Sequence, residues 1–200
     1  MPLELITDAV QEPVTYQQVL EHLRINSYDS EIDEASTAYI ETLIRAVRDY
    51  TEAFLDRALI TQTWKYYLDA FPSENYIEMP KPPLQSISSI TIITDAGVTA
   101  PTDSIYYLVD TVSSRGRLIL TTASSWPTCL LCPKNPIAIQ FVCGYGDDPS
   151  DVPMQIIQAI LIQVAELYEN REPVIQGQPL QNLHTVERLL WPKKVWTCVR

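Results

Sequence analysis

Two cysteines three residues apart, Cys129 and Cys132, form a Cys-x-x-Cys pair, a spacing found in metal and redox sites. A structural zinc site needs four ligands, and the remaining cysteines and histidines are scattered along the chain. A redox pair usually opens a helix, whose dipole favours the thiolate, whereas Pro127 and Pro133 flank this pair. A zinc or redox enzyme centred on these cysteines is one hypothesis. Incidental loop cysteines are the better interpretation.

The other sequence features typical of catalysis are equally weak. Neither His22 nor His184 has a nucleophile motif beside it. Gly144-Tyr145-Gly146 lacks the Gly-Lys-Ser/Thr that completes a phosphate-binding loop, so we expect a strand-to-helix turn with a glycine at positive φ. We therefore expect no enzyme, no catalytic residue and no bound cofactor.

An acidic cluster, Asp147, Asp148 and Asp151, precedes a predicted helix. It has neither the spacing of an EF-hand nor a distal bidentate glutamate, so Ca²⁺ binding is the weaker interpretation. Helix capping explains these residues better, because short carboxylates accept hydrogen bonds from the free N–H groups of a first turn. We expect no metal site.

Aromatic residues in the central third suggest a ligand-binding alternative. Trp64, Tyr66 and Tyr106, with Tyr67 and Tyr107 beside them, have the composition of a carbohydrate-binding platform. At strand spacing, such residues are more often cross-strand packing pairs.

The C-terminal stretch combines aromatic and basic residues. Trp191 and Trp196 flank Lys193-Lys194, and Arg200 follows. Tryptophan with basic neighbours is typical of an interface anchor. In the alternative interpretation, both tryptophans fold back onto a helical core.

Charge is distributed unevenly over the 200 residues, whose net charge is −11. Residues 1–57 hold twelve Asp and Glu against four Arg, whereas the last eighteen residues hold four Lys and Arg against one Glu. An acidic body argues against a sequence-independent grip on nucleic acid, which requires clustered Lys and Arg. The chain begins without the pattern of a signal peptide, and its most apolar segment, 154–167, is too short to span a bilayer. We therefore expect a soluble, cytoplasmic protein that meets other proteins and does not bind a membrane.

The hydrophobic periodicity predicts an α+β fold. A helix is expected from Glu31 to about Leu59, with an apolar stripe at positions 40, 43, 47, 50 and 54. Another helix is expected over Val14–Ile25 with Thr15 as its N-cap, a buried one over Met154–Tyr168 and a short one over His184–Leu190. The antiparallel strands predicted between them are Ile60–Leu68, Tyr76–Met79, Ser86–Ile93, Ile105–Val109, Arg117–Thr121 and Ile137–Val142.

These elements predict a helical core, made of a long helix and a buried C-terminal helix, with an inserted antiparallel β block. The predicted boundaries are 1–59 for the N-terminal helices, 60–148 for the β insertion, 149–190 for the C-terminal helices and 191–200 for a C-terminal tail.

The order of several short motifs resembles the head–tail connector, or adaptor, proteins of long-tailed double-stranded DNA phages, prophages and gene transfer agents. The motifs span almost the whole chain, whereas the Cys129–Cys132 segment matches none of them. They are Leu20-Glu21-His22-Leu23-Arg24-Ile25, Arg57-Ala58-Leu59-Ile60-Thr61-Gln62-Thr63-Trp64, Pro80-Lys81-Pro82-Pro83-Leu84-Gln85-Ser86-Ile87, Phe141-Val142-Cys143-Gly144-Tyr145-Gly146-Asp147, Tyr168-Glu169-Asn170-Arg171-Glu172 and Leu190-Trp191-Pro192-Lys193-Lys194-Val195-Trp196.

The resemblance implies a structural virion protein of the neck, assembled in the host cytoplasm. It implies a homo-oligomeric ring, typically of twelve copies, that lies under the portal, joins a downstream stopper or tail terminator protein and lets DNA pass without specific binding. We expect the C-terminal tail to contact the portal through Trp191, Lys193, Lys194, Val195, Trp196 and Arg200. We expect acidic residues of the first two helices to face the channel or a neighbouring subunit: Glu31, Asp33, Glu34 and Glu41.

Overall fold

The computed structural model describes residues 2–25, 34–95, 99–101, 106–122, 124–127, 131–170 and 183–196. The chain divides into two compact units. The β unit comprises Met1–Val10 and Thr61–Tyr145, and the helical unit comprises Gln11–Ile60 and Gly146–Arg200. Helices and antiparallel sheets are thus both present, which confirms the predicted α+β class.

The β unit contains a five-stranded antiparallel sheet in the order β1-β2-β8-β4-β5. Its strands are β1 (Leu3–Thr7), β2 (Gln62–Leu68), β4 (Leu84–Ile93), β5 (Thr99–Pro101) and β8 (Ile137–Cys143). The central strand β8 is buried along almost its whole length. Its alternation of isoleucine, alanine and phenylalanine suits a strand that is covered on both faces.

A three-stranded antiparallel sheet completes the β unit, in the order β3-β7-β6. Its strands are β3 (Tyr76–Glu78), β6 (Tyr107–Asp110) and β7 (Arg117–Leu120). Apolar side chains from both sheets, among them Ile77, Ile90, Leu118 and Ile137, line one cavity of about 150 Å³. The two sheets therefore share an apolar interior, and the predicted antiparallel β block is confirmed.

Strand β1 corrects the assignment of residues 1–59 to helices. Leu3 pairs with Tyr66 and Leu5 with Trp64, and the register shifts at Ile6 before Thr7. The sequence pattern hides this strand because most of it is exposed and the shift at Ile6 breaks the alternation of apolar and polar residues.

The helical unit is built around α3 (Met154–Glu169). Ile156, Ile160 and Val164 of this helix are fully buried, as the apolar sequence predicts. Helices α1 (Tyr16–Leu23), α2 (Glu34–Leu55) and α4 (Leu183–Leu190) all pack against it. The expected packing of the long helix against Met154–Tyr168 is therefore confirmed.

Local signals fix the start of α1 as predicted. The Thr15 hydroxyl accepts a hydrogen bond from the Gln18 N–H, and the Gln18 side chain accepts one from the Thr15 N–H. This reciprocal pair is a capping box, which satisfies two N–H groups that the helix leaves free.

The end of α2 differs from the prediction: the helix stops at Leu55, not near Leu59. Asp56 adopts a left-handed conformation with φ of 54°, and the Arg57 N–H bonds back to the Glu52 carbonyl at 3.1 Å. Aspartate tolerates this conformation better than most residues, so the helix ends here although no glycine or proline marks its end in the sequence.

The buried stripe of α2 is also displaced from the predicted one. Leu43 and Phe54 are only half-buried and Tyr50 is exposed, whereas Ile44 and Leu55 are buried. Polar residues of α2 are buried beside them: Arg48, Thr51 and Glu52. The hydrophobic pattern does not predict this burial, because Arg48 and Glu52 are buried together with partners elsewhere in the unit, Glu12 and the Leu59 N–H.

Candidate functional site

The segment after α4 is held against the end of α2. It forms a 3₁₀ turn at Trp191–Lys193 and then runs extended to residue 196. The Val195 N–H donates to the Leu55 carbonyl at 3.0 Å, and the Arg57 Nε–H donates to the Lys193 carbonyl at 2.6 Å. The first bond uses the free carbonyl of the last residue of α2, and the second uses the side chain of Arg57, two residues beyond it. The end of α2 therefore provides the docking place for this segment.

The two tryptophans of this segment stay exposed although its backbone is docked. Trp191 is 53% exposed and Trp196 is 58% exposed. Their ring centroids lie 4.9 Å apart with an interplanar angle of 67°, an edge-to-face arrangement that aromatic quadrupoles favour. The alternative interpretation, in which both tryptophans fold back onto a helical core, is therefore correct for the backbone of this segment but not for the two indole rings, which stay exposed.

The ammonium group of Lys194 lies between three aromatic rings. Its Nζ is 4.2 Å from the ring centroid of Phe54, 5.4 Å from that of Trp196 and 5.9 Å from that of Trp191. All three distances are within the range of cation–π attraction. We call these four residues the tryptophan cluster. Phe54 joins it from α2, and because its position in the apolar repeat predicts a core residue, the sequence gives no signal for this role.

The remaining residues of the predicted portal contact surround this cluster. Val195 is buried and serves as an anchor, whereas the Lys193 ammonium makes no ion pair or ring contact within the part of the chain that the structure describes. Arg200 lies outside the described residues. Next to the cluster, the exposed Tyr50 ring stacks on Phe54 at 6.2 Å, which extends the aromatic surface along α2.

The predicted acidic residues are described only in part. Glu41 is exposed on α2 and lines an open groove of about 320 Å³ with Glu12, Arg45 and Pro149. Glu31 and Asp33 lie outside the described residues, as does the side chain of Glu34, the first residue of α2.

The cysteine pair falls partly outside the described residues, because Cys129 is among those not described. Cys132 is a half-buried free cysteine whose N–H donates to the Ile93 carbonyl at 3.1 Å. Over the described residues, no group of three or more His, Cys, Asp and Glu is arranged to hold a metal ion.

The acidic cluster forms a capped turn. The Asp148 N–H donates to the Asp151 Oδ2 at 3.3 Å, and the Asp151 N–H donates to the Asp148 carbonyl at 3.0 Å, across a 3₁₀ turn at Pro149–Asp151. Gly144 has a φ of 129°, which confirms the predicted turn with a glycine at positive φ. A Cβ on Gly146 would collide with the Asp151 carboxylate, so the second glycine makes room for the turn.

The aromatic residues of the ligand-binding alternative do not form one exposed platform. Tyr66 is buried, and burial raises the pKa of its hydroxyl. Trp64 is half-buried on the same strand, where its Nε1–H donates to the Gln62 side chain at 2.8 Å. Tyr106 precedes β6 in the other sheet and lines the apolar cavity.

The fold and the cluster together define an α+β protein that presents an aromatic surface with basic neighbours. None of the described helices is long and apolar enough to cross a membrane. No protein-family model and no curated protein matches the sequence.

Solved structures share the fold over the full length of the chain. A chain from the neck of an empty gene transfer agent (GTA) particle, computed with C6 symmetry, is 20% identical with a TM-score of 0.82. One from the virion of a native GTA particle is 20% identical with a TM-score of 0.80. One from the neck of a native GTA particle, computed with C12 symmetry, is 21% identical with a TM-score of 0.74. Each match covers 100% of this chain and 98% of the other chain.

Proposed function

We propose that this protein is a structural neck component of a phage or phage-like particle, a head–tail connector that joins the capsid to the tail. The observation that supports this most is the fold shared end to end with chains of GTA necks and virions. The protein acts by positioning its partners and catalyses no reaction.

In this proposal, identical copies assemble into a ring under the portal. Two of the similar neck structures were computed with C6 and C12 symmetry, which supports a ring of twelve subunits. A cyclic ring requires two different, complementary faces on each subunit. The groove beside Glu41 is open and also holds the charged side chains of Glu12 and Arg45. We assign it to the contact with a neighbouring subunit or to the channel wall, together with Glu31, Asp33 and Glu34.

The net charge of −11 fits the passage of DNA through such a ring. A negatively charged wall repels phosphates, so DNA slides past without being held. The opposite end of the ring then binds a stopper or tail terminator protein, and the assembled protein belongs to the virion neck after assembly in the host cytoplasm.

The portal contact is assigned to the C-terminal tail: Trp191, Lys193, Lys194, Val195, Trp196 and Arg200. The exposure of both tryptophan rings supports this assignment, since exposed aromatic residues with basic neighbours are typical of interface anchors.

Electron microscopy of the full-length protein mixed with its cognate portal tests the proposal. We expect a ring of this protein stacked coaxially on the portal ring. A map at side-chain resolution should place the acidic residues of α2 on the bore or between subunits. Absence of any complex with the portal would refute the connector function, and a ring with Glu41 on its outer rim would refute the channel role.

A further inference from the structure

We infer that Lys194 is an internal brace that holds Trp191 and Trp196 as a rigid pair, and that this pair inserts into an apolar pocket of the partner. The inference deepens the proposed function and depends on it for the identity of the partner, the portal. The two neighbouring lysines then have different roles: Lys194 contacts aromatic rings of its own chain, and Lys193 contacts the partner through its charge.

The contacts of Lys194 are directed inward. Its ammonium group lies over Phe54 at 4.2 Å and within 6 Å of both indole rings, so the charge is already surrounded by ring faces. A carboxylate of the partner would compete with these three ring contacts for the ammonium group. Lys194 is therefore poorly placed to form an intermolecular ion pair.

The backbone on both sides of Lys194 is fixed. The Lys193 carbonyl accepts from Arg57, and the Val195 N–H donates to the Leu55 carbonyl. Both anchors lie at the end of α2, and α2 also supplies Phe54. The cluster therefore joins two elements that are far apart in sequence, and its geometry does not depend on the extended segment alone.

Rigidity of this kind favours binding. A tryptophan side chain that is ordered before association loses less conformational entropy when it enters a pocket. The edge-to-face contact at 4.9 Å and the shared ammonium restrain both rings at once. Ordered tryptophans at the centre of an interface are the residues whose truncation weakens binding most.

The chemistry of the partner follows from what the cluster leaves exposed. Both tryptophan residues are more than half exposed, and the exposed Tyr50 ring extends the aromatic surface. Such a surface fits an apolar pocket. The Lys193 ammonium, which has no ion pair within the described residues, fits a carboxylate at the edge of that pocket.

The test compares matched variants of the full-length protein, K194M and K193M, in two measurements. The first is near-ultraviolet circular dichroism of the isolated protein, which reports on the order of the tryptophan rings. K194M should lose much of this signal, whereas K193M and K194R should keep it, because arginine also stacks on aromatic faces.

The second measurement is affinity for the cognate portal at low and high salt. W191A and W196A should each weaken binding on the order of tenfold or more at both salt concentrations. K194M should weaken binding at both concentrations too. K193M should weaken it only at low salt, because a charge at the rim of an interface is screened.

Each outcome decides one part of the inference. An unchanged dichroism signal in K194M would overturn the brace. If the wild-type protein binds the portal and W196A binds equally well, the insertion is wrong and the connector function stands. If the wild-type protein does not bind the portal, both the connector function and the insertion fail, and dichroism still decides the role of Lys194. Since Trp196 is exposed, W196A is expected to fold whatever the fate of K194M.

Discussion

The side chain of Glu52 accepts a hydrogen bond from the backbone N–H of Leu59 at 2.8 Å, and both residues are buried. The bond spans the seven residues in which the chain leaves α2 and turns toward the β unit. A buried N–H without a partner is strongly unfavourable, so this carboxylate supports a connection that has no regular secondary structure of its own.

Replacing Glu52 with alanine should destabilise the protein by about 1–3 kcal/mol, because the buried Leu59 N–H loses its acceptor. E52Q keeps an acceptor oxygen and should be less harmful. Chemical denaturation of the monomer measures both effects. The control is E41A on the exposed face of the same helix, for which we expect a change within about 0.5 kcal/mol. Equal stabilities of E52A and E41A would show that the bond is unimportant.

Two arginines contact the same carboxylate of Glu12 and differ in burial. The Arg48 Nη1 lies 3.1 Å from the Glu12 Oε1 and the side chain is 7% exposed, whereas the Arg45 Nε lies 3.6 Å away and the side chain is 73% exposed. R48A should destabilise the unit by roughly 2 kcal/mol, because it removes a buried guanidinium and leaves a half-buried carboxylate without its main partner.

R45A removes an exposed ion pair with the same acceptor, so the loss should be about 0–1 kcal/mol. Thermal or denaturant unfolding of the two variants, side by side, measures the difference between a buried and a solvated partner. A loss in R45A as large as that in R48A would contradict the role that we give to burial.

Gly116 lies where no side chain fits. A Cβ at this position would overlap the Cβ of Leu84, which is fixed to the backbone of β4 and buried. G116A should therefore force one strand to move and destabilise the protein by about 1–3 kcal/mol. S114A, exposed in the same turn, provides the control and should have little effect. If G116A melts at the wild-type temperature, β4 yields more easily than its packing indicates.

The turn after β6 lowers the pKa of one carboxyl group, that of Asp110. Hydrogen bonds from the Ser113 hydroxyl, the Ser113 N–H and the Val112 N–H hold the pKa of Asp110 below its ordinary value. A lowered pKa in the folded state stabilises the fold above the pKa of the unfolded chain. That contribution disappears as the pH falls through the folded-state pKa.

S113A removes the largest of these contributions, so the pKa of Asp110 should rise toward its ordinary value. Carboxyl-carbon NMR titration of the isolated protein measures the midpoint directly. S114A leaves the three donors in place and should not move it. A midpoint that is the same in S113A and the wild type would mean that the hydroxyl does not bond the carboxylate in solution.

The sequence predicts the elements whose apolar residues face one common core. Strand β8 and helix α3 are predicted within two residues at each end. Most positions of β8 are buried, and α3 has a buried face of aliphatic residues, so both have a strong apolar sequence pattern. The apolar stripe of α2 is misplaced because buried Arg48 and Glu52 find partners in Glu12 and Leu59, and sequence periodicity cannot show those partners.

The sequence predicts only part of the candidate site, because sequence patterns do not show which distant residues contact one another. Trp191 and Trp196 are predicted as site residues from composition alone, because tryptophan with basic neighbours is typical of an interface anchor. The contribution of Phe54 and Arg57 depends on where α2 ends, which is set by the left-handed conformation of one aspartate, Asp56. No local pattern in the sequence marks that residue as a helix terminator.

Ile60 and Gly146 form a backbone bridge, so the two ends of the stretch Thr61–Tyr145 are neighbours in space. The stretch is therefore an exchangeable segment, or cassette: a related protein can carry a different segment at this place if the two ends of that segment lie equally close together. Strand β1 limits the exchange, because it pairs with β2 of the cassette but belongs to a different part of the chain. A chimera that transplants Thr61–Tyr145 must bring Leu3–Thr7 with it, or β2 is left with an open edge.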